Sequence, residues 1–111
     1  MFAMLYQWRI IPGSEDAFVH AWARRTEMLV DEQGSWGSRL HRTTDGRFIA
    51  YAMWPDRATW ANADQVPPGE DAARLRAIMR SSAVRLRRDL ALDLVEDHLR
   101  SPIETRIVRG G

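Results

Sequence analysis

Phe2 to Ile11 is almost continuously apolar, broken only by Gln7 and Arg9, which is the pattern of a central strand. Pro12-Gly13 ends it. Ser14 is placed to cap a helix, with Glu15 and Asp16 at the positive end of its dipole. Phe18, Trp22, Arg25 or Thr26, Leu29 and Gln33 recur at three- and four-residue spacing and define one face, and Gly34 is a natural stop. Two strands are predicted next, near Trp36 to Thr43 and Arg47 to Trp54. The turn Thr44-Asp45-Gly46-Arg47 joins them, because Asp-Gly readily takes the positive φ angles of a two-residue hairpin. Asp56 or a neighbour starts a short helical piece through Ala63, and Val66-Pro67-Pro68-Gly69 interrupts it. A second helical run, Glu70 to about Ser82, presents Ala72, Leu75, Ile78 and Met79 on one side. The last strand is expected at Leu90 to Leu99, where Leu90, Leu92 and Leu94 alternate with Ala91, Asp93 and Val95.

The order β-α-β-β-α-β is the split βαβ, or ferredoxin-like, α+β arrangement: a four-stranded antiparallel sheet with the helices on one side. Strands one and three carry apolar residues in both alternating sets, Phe2, Met4, Tyr6 and Trp8 against Ala3 and Leu5, and Phe48 and Ala50 against Ile49, Tyr51 and Met53. A sheet apolar on both faces predicts that a second subunit covers the face without helices, and a homodimer is the simplest closed assembly. The domain is expected to span residues 1–100. Residues 101–111 form an exposed tail by composition, in which Ile103, Thr105 and Ile107 alternate as a pairing arm would.

Composition narrows the chemistry. At 111 residues the chain makes one domain able to bury a core unaided. Cysteine is absent, which excludes thiol catalysis, thiolate metal sites and disulfides. Lysine is absent too, since all 16 basic residues are arginine, so Schiff-base chemistry and a phosphate-binding P-loop lysine are excluded. The formal charge of +1 gives no bias toward nucleic acid or acidic membranes. The basic run Arg80, Arg85, Arg87 and Arg88 is followed by Asp89, Asp93, Glu96 and Asp97, which reads as a solvated, mutually paired surface. No apolar run approaches membrane-spanning length, and MFAMLYQWRI has neither a charged leader nor a cleavage site, so a cytoplasmic location is expected. His20, His41 and His98 lie on separate elements without ligand-type spacing, and no metal site is expected.

Tyr6-Gln7-Trp8-Arg9 with Pro12-Gly13, the helix around Phe18 and Trp22, Gly34-Ser35-Trp36-Gly37-Ser38, Ala50-Tyr51-Ala52-Met53-Trp54-Pro55 and Trp60 together resemble the antibiotic biosynthesis monooxygenase family of dimeric α/β barrels. The resemblance spans roughly residues 1 to 100, in pattern and element order more than in one motif. It implies sheets packed face to face between two subunits, with a pocket between each subunit's own sheet and helices. It also implies a choice among cofactor-independent monooxygenases, heme-degrading enzymes, lactone isomerases and members of unassigned role. The heme-degrading pattern has a tryptophan followed about ten residues on by an iron-ligating histidine. Trp60 matches the tryptophan, but Glu70 stands at the second place and no histidine lies between Trp60 and Ser82. That branch is therefore demoted.

Within the hairpin His41 is the candidate for proton transfer near neutral pH, against the alternative of a strand histidine at an interface. An Asp45-Gly46 turn sets His41 opposite Ala50, with Arg39 on the same face and Leu40, Tyr51 and Met53 on the other. Arg39 offers a fork of donors for a phenolate or carboxylate, or a partner for an acid on a second subunit. Tyr51 would orient or stabilise the anion if a bulge brought it to the same face. Tyr6, Trp22, Thr26, Trp54 and Trp60 are the candidates to hold a flat substrate, aromatic strand residues otherwise being core. The reading is a cofactor-independent monooxygenase acting on a flat phenolic or quinol-like small molecule. The alternative is a non-catalytic dimeric protein of the same fold that binds a small ligand or acts as an accessory.

Overall fold

The computed structural model describes residues 1–100 of the chain. The tail expected at residues 101–111, with its alternating Ile103, Thr105 and Ile107, lies outside them. Elements follow in the order β1 (Phe2–Ile10), α1 (Glu15–Gln33), β2 (Gly37–Arg42), β3 (Arg47–Trp54), α2 (Arg57–Gln65), α3 (Glu70–Ser82) and β4 (Ala83–Asp93). The strands form one antiparallel sheet in the order β2-β3-β1-β4, the ferredoxin-like arrangement. Gly34 ends α1 in the left-handed conformation, φ +79°. Asp56 caps α2 by accepting from the backbone N–H and the hydroxyl of Thr59, both at 2.7 Å. Ser14 occupies the corresponding place before α1, but its side chain makes no capping bond; only its carbonyl, accepting from Phe18 N at 3.0 Å, opens the helix.

The core lies between the helices and one face of the sheet. Phe18 of α1 is fully buried, meeting Trp8 edge-on at 5.1 Å between ring centroids and Phe48 at 5.9 Å. Burying such a side chain stabilises by roughly 1.5–3 kcal/mol. Phe2, Met4, Trp54 and Ala63 form a second buried cluster under α2. These strand residues share one face, since side chains alternate along a strand.

The hairpin corrects the expected register by one residue. Leu40, not His41, pairs with Ala50, and His41 pairs with Ile49. A two-residue turn of the expected kind needs positive φ at both central positions, and only Gly46 has it, at +85°. The loop takes three residues instead. Gly46 N donates to the Thr43 carbonyl at 3.1 Å, Thr43 N donates to the Arg47 carbonyl at 2.8 Å, and Arg47 N donates to the Thr43 hydroxyl at 2.9 Å. Asp45 accepts from the Thr43 hydroxyl and from Arg47 Nε at 3.1 Å, the hydroxyl first and the guanidinium second holding its carboxyl at about 2.

The last strand also differs from expectation. It begins at Ala83, directly after α3, and ends at Asp93, so Leu94 to Leu99 lie beyond it. Arg85, Arg87 and Arg88 mask its alternation, and a bulge opposite Tyr6 shifts the pairing between Leu5–Leu90 and Gln7–Leu86. The second sheet face carries half-buried Leu5, Ile49, Tyr51, Met53 and Leu86, with Leu90 and Leu92 exposed. No helix of the described residues is long and apolar enough to cross a membrane.

Candidate functional site

Between the sheet and the three helices lies a cavity of about 220 Å³. Its floor is built from residues that alternate onto the helix-facing side of the sheet: Tyr6 and Trp8 from β1, Ala50, Ala52 and Trp54 from β3, and Ser38 from β2. Ala50 and Ala52 make the space, because they place methyl groups where neighbouring strand positions carry rings. Trp22, Thr26 and Leu29, one turn apart along α1, form a wall, and Trp60 with Ala63 and Asp64 of α2 close another. A second groove, about 360 Å³, runs along Val66 to Gly69 and the start of α3, and no aromatic side chain among the described residues lines it.

The first cavity is lined by polar as well as aromatic groups, among them Tyr6, Thr26, Ser38, Asp64 and three arginines, Arg25, Arg76 and Arg85. Trp60 Nε1 donates to the Tyr6 hydroxyl at 3.2 Å. That hydroxyl thus uses one acceptor site and keeps its own proton to donate. The Arg85 guanidinium lies over the Tyr6 ring, 5.0 Å from its centroid. Burial pushes the Tyr6 phenol above its ordinary value; the Trp60 bond and Arg85 oppose this, while the charges of Asp89 and Asp64 add to it. Tyr6 is therefore a donor over the physiological range and not a base. Trp54 is buried, and its Nε1–H has no hydrogen-bond partner among the described residues. Among the described residues, Asp64 is the one carboxylate lining the cavity, and no histidine lines it.

Tyr6, Trp22, Thr26, Trp54 and Trp60, expected from the sequence to hold a flat molecule, all line this space. His41, Arg39 and Tyr51 do not. The observed register puts Arg39 directly opposite Tyr51 and His41 opposite Ile49, so the three share a face, but it is the face without helices. No bulge is needed to bring Tyr51 to His41, and none carries either of them to the cavity. Asp64, Arg76 and Arg85 went unnoticed in the sequence as site residues. Their helical or arginine-rich surroundings read as solvated surface, and only the α2–α3 break at Pro67-Pro68 hinted that two helix ends converge there. Among the described residues no three His, Asp or Glu side chains come together as metal ligands would.

The sequence model of one family, described as antibiotic biosynthesis monooxygenase, matches residues 1–75. Among solved structures, the chain is similar to the N63A mutant of SnoaB, a cofactor-independent oxygenase from Streptomyces nogalater. The identity is 14%, covering 87% of this chain and 95% of that one, with a TM-score of 0.71. It is similar to a structure described as an antibiotic biosynthesis monooxygenase, at 20% identity over 86% and 100% of the two chains and a TM-score of 0.66. Rv0793 from Mycobacterium tuberculosis gives 14% identity, 88% and 98% coverage and a TM-score of 0.68. At these identities the structural likeness speaks for the fold alone. A sequence search among curated proteins found no match.

Proposed function

The chain belongs to the antibiotic biosynthesis monooxygenase family, and from that premise we propose that it is a cofactor-independent monooxygenase acting on a small, flat phenol or quinol. The observation that carries the reading is the cavity itself: an aromatic-walled space with a protonated phenol, Tyr6, and a carboxylate, Asp64, on its lining. At about 220 Å³ it lies below the ~300–1,000 Å³ of drug-sized ligand sites, which favours one or two fused rings.

The chemistry needs little from the protein. A hydroquinone and dioxygen yield a hydroxyquinone and water, so the substrate supplies all the electrons. Asp64 takes the phenolic proton, Arg85 favours the resulting anion by its charge, and the Tyr6 hydroxyl donates to the substrate oxygen. Trp22, Trp54 and Trp60 hold the ring and exclude bulk water. His41, Arg39 and Tyr51 belong in this proposal to the second sheet face. There Leu5, Ile49, Met53 and Leu86 make an apolar surface suited to a second copy of the chain, and the protein acts as a homodimer.

Oxygen uptake with a panel of naphthohydroquinones tests the reading. Wild-type protein is expected to accelerate uptake over buffer, and Asp64→Asn to lower kcat by about 10²-fold or more, the scale of a lost general base. Equal uptake by wild type and Asp64→Asn would remove Asp64 from the mechanism. His41→Ala is expected to leave the rate per folded dimer unchanged; a comparable loss there would restore His41 as the base.

A further inference from the structure

Arg25 of α1 and Arg76 of α3 line the same cavity, on two helices that pack against each other. Arg25 is half-buried and Arg76 exposed. Five other arginines, Arg42, Arg47, Arg57, Arg74 and Arg85, each have an acidic partner. Arg25 and Arg76 have neither an ion pair nor a hydrogen-bond partner among the described residues. Many surface arginines are unpaired, but these two hold like charges toward one cavity, one of them partly out of water.

Burial first, and the charge of Arg76 second, push the Arg25 guanidinium below its ordinary value; Glu32, two turns along α1, opposes them. Asp64, a carboxylate on the cavity lining, adds its charge to the surroundings of Tyr6. The cavity is thus polarised. Its α1–α3 side carries two guanidinium groups without acidic partners among the described residues, and its other side carries the Tyr6 hydroxyl, Asp64 and an Arg85 already paired with Asp89. A permanent anion gains more from the first side, where no carboxylate lines the cavity among the described residues, than from the second, where Asp64 and the paired Arg85 oppose each other.

We infer that the substrate is a small aromatic carboxylic acid, its carboxylate held by Arg25 and Arg76 while the phenol to be oxidised points at Tyr6 and Asp64. Two guanidinium forks suit a planar carboxylate, and pairing would relieve the repulsion between them. The inference rests on the proposed function and deepens it: the arginine pair sets which phenols enter and in which direction.

The test compares 6-hydroxy-2-naphthoate, whose hydroxyl and carboxylate stand at opposite ends of the rings, with its methyl ester, which has the same rings and no charge, by quenching of tryptophan fluorescence. Wild-type protein is expected to bind the acid about tenfold more tightly than the ester, the scale of a charge-assisted hydrogen bond. Arg76→Gln and Arg25→Gln should each cut that preference to about threefold or less, with ester affinity unchanged as the sign of an intact cavity. Raising the salt concentration should weaken the acid and spare the ester. Equal binding of acid and ester by wild type would overturn the arginine assignment and leave the aromatic pocket standing. So would a tenfold preference surviving in the double variant. Failure of both compounds to bind would remove the pocket reading and this inference together.

Discussion

Replacing Tyr6 by phenylalanine removes one oxygen from the lining of the cavity and separates two roles of that hydroxyl. As an acceptor it takes the Trp60 indole proton at 3.2 Å, the long end of the hydrogen-bond range. A neutral bond contributes about 0.5–1.5 kcal/mol net, and Trp60 is only half-buried, so water can partly replace the lost partner. The free protein should therefore lose about 1 kcal/mol, a fall in Tm of roughly 4 °C for a chain of this size. As a donor the hydroxyl gives its proton to the ligand oxygen, and losing that bond should weaken binding of a phenolic ligand about fivefold. Trp60→Phe removes the first role and leaves the second, so it should cost similar stability and less affinity.

Urea denaturation of both single variants and the double variant gives the coupling between the two side chains, expected at about 0.5–1 kcal/mol. Fluorescence titration gives the affinities. Coupling indistinguishable from zero would refute the bond. Tyr6→Phe binding as tightly as wild type would refute the donor role while leaving the bond intact. The phenol's raised pKa adds a pH arm. Above about pH 10, the unperturbed value, the unfolded chain loses this proton and the folded one holds it. The folded state then binds more protons, so wild-type stability should fall with rising pH, and Tyr6→Phe should remove that part of the slope.

Trp54→Phe should change stability by less than about 1 kcal/mol in urea denaturation, because relief of a buried, unpartnered donor, about 1–3 kcal/mol, offsets lost packing; a loss above about 3 kcal/mol would show that Nε1 has an acceptor. Gly46→Ala should destabilise by about 1–2 kcal/mol in the same assay despite open space around its Cβ, since φ is +85°; no loss would mean the loop re-forms with another register. Asp45 is held at about 2 and makes its bonds as a carboxylate, so its contribution is complete above the unfolded value near 4 and disappears as the pH falls through 2. Asp45→Asn should therefore flatten the acid side of the stability profile between those values, read by circular dichroism. Leu90→Asp, on the exposed part of the second sheet face, should shift sedimentation from two 12.8 kDa chains toward one; an unchanged assembly would move the interface elsewhere.

Element order and the helix-facing side of β1 and α1 were readable because each rests on a strong local signal. Phe2 to Ile10 is apolar on both faces, Gly34 accepts the left-handed conformation, and Asp56 has a hydroxyl and an N–H to bind three residues on. Tyr6, Trp22 and Trp54 could be assigned to one space because period alone decides which side of a strand or helix they take. The start of β4 was hidden for the opposite reason. Arginines at positions 85, 87 and 88 supply no apolar alternation, and the bulge opposite Tyr6 breaks the period that would have revealed it. Arg76 and Asp64 depend on how helices converge in space, which no local pattern encodes.

The hairpin turn decides which residues of β2 stand opposite which residues of β3. Asp-Gly permits either a two-residue turn, with both residues at positive φ, or a three-residue loop, with glycine alone there. Asp45 chooses between them by what its side chain can do. Bonded to the Thr43 hydroxyl and Arg47, it stays in the ordinary φ range and leaves the left-handed position to Gly46. That selection moves the pairing by one residue, and a shift of one exchanges the residues opposed across the hairpin: Ala50 meets Leu40 instead of His41, and Tyr51 meets Arg39. Ala50 faces the cavity in either register, because β1 fixes the side of β3. What the turn decides is whether β2 sends Leu40 or His41 over with it. The side of the sheet that His41 takes thus follows from the conformation of Asp45. Phe48, Ala50, Ala52 and Trp54, held by pairing with β1 through the middle of the sheet, did not depend on the turn at all.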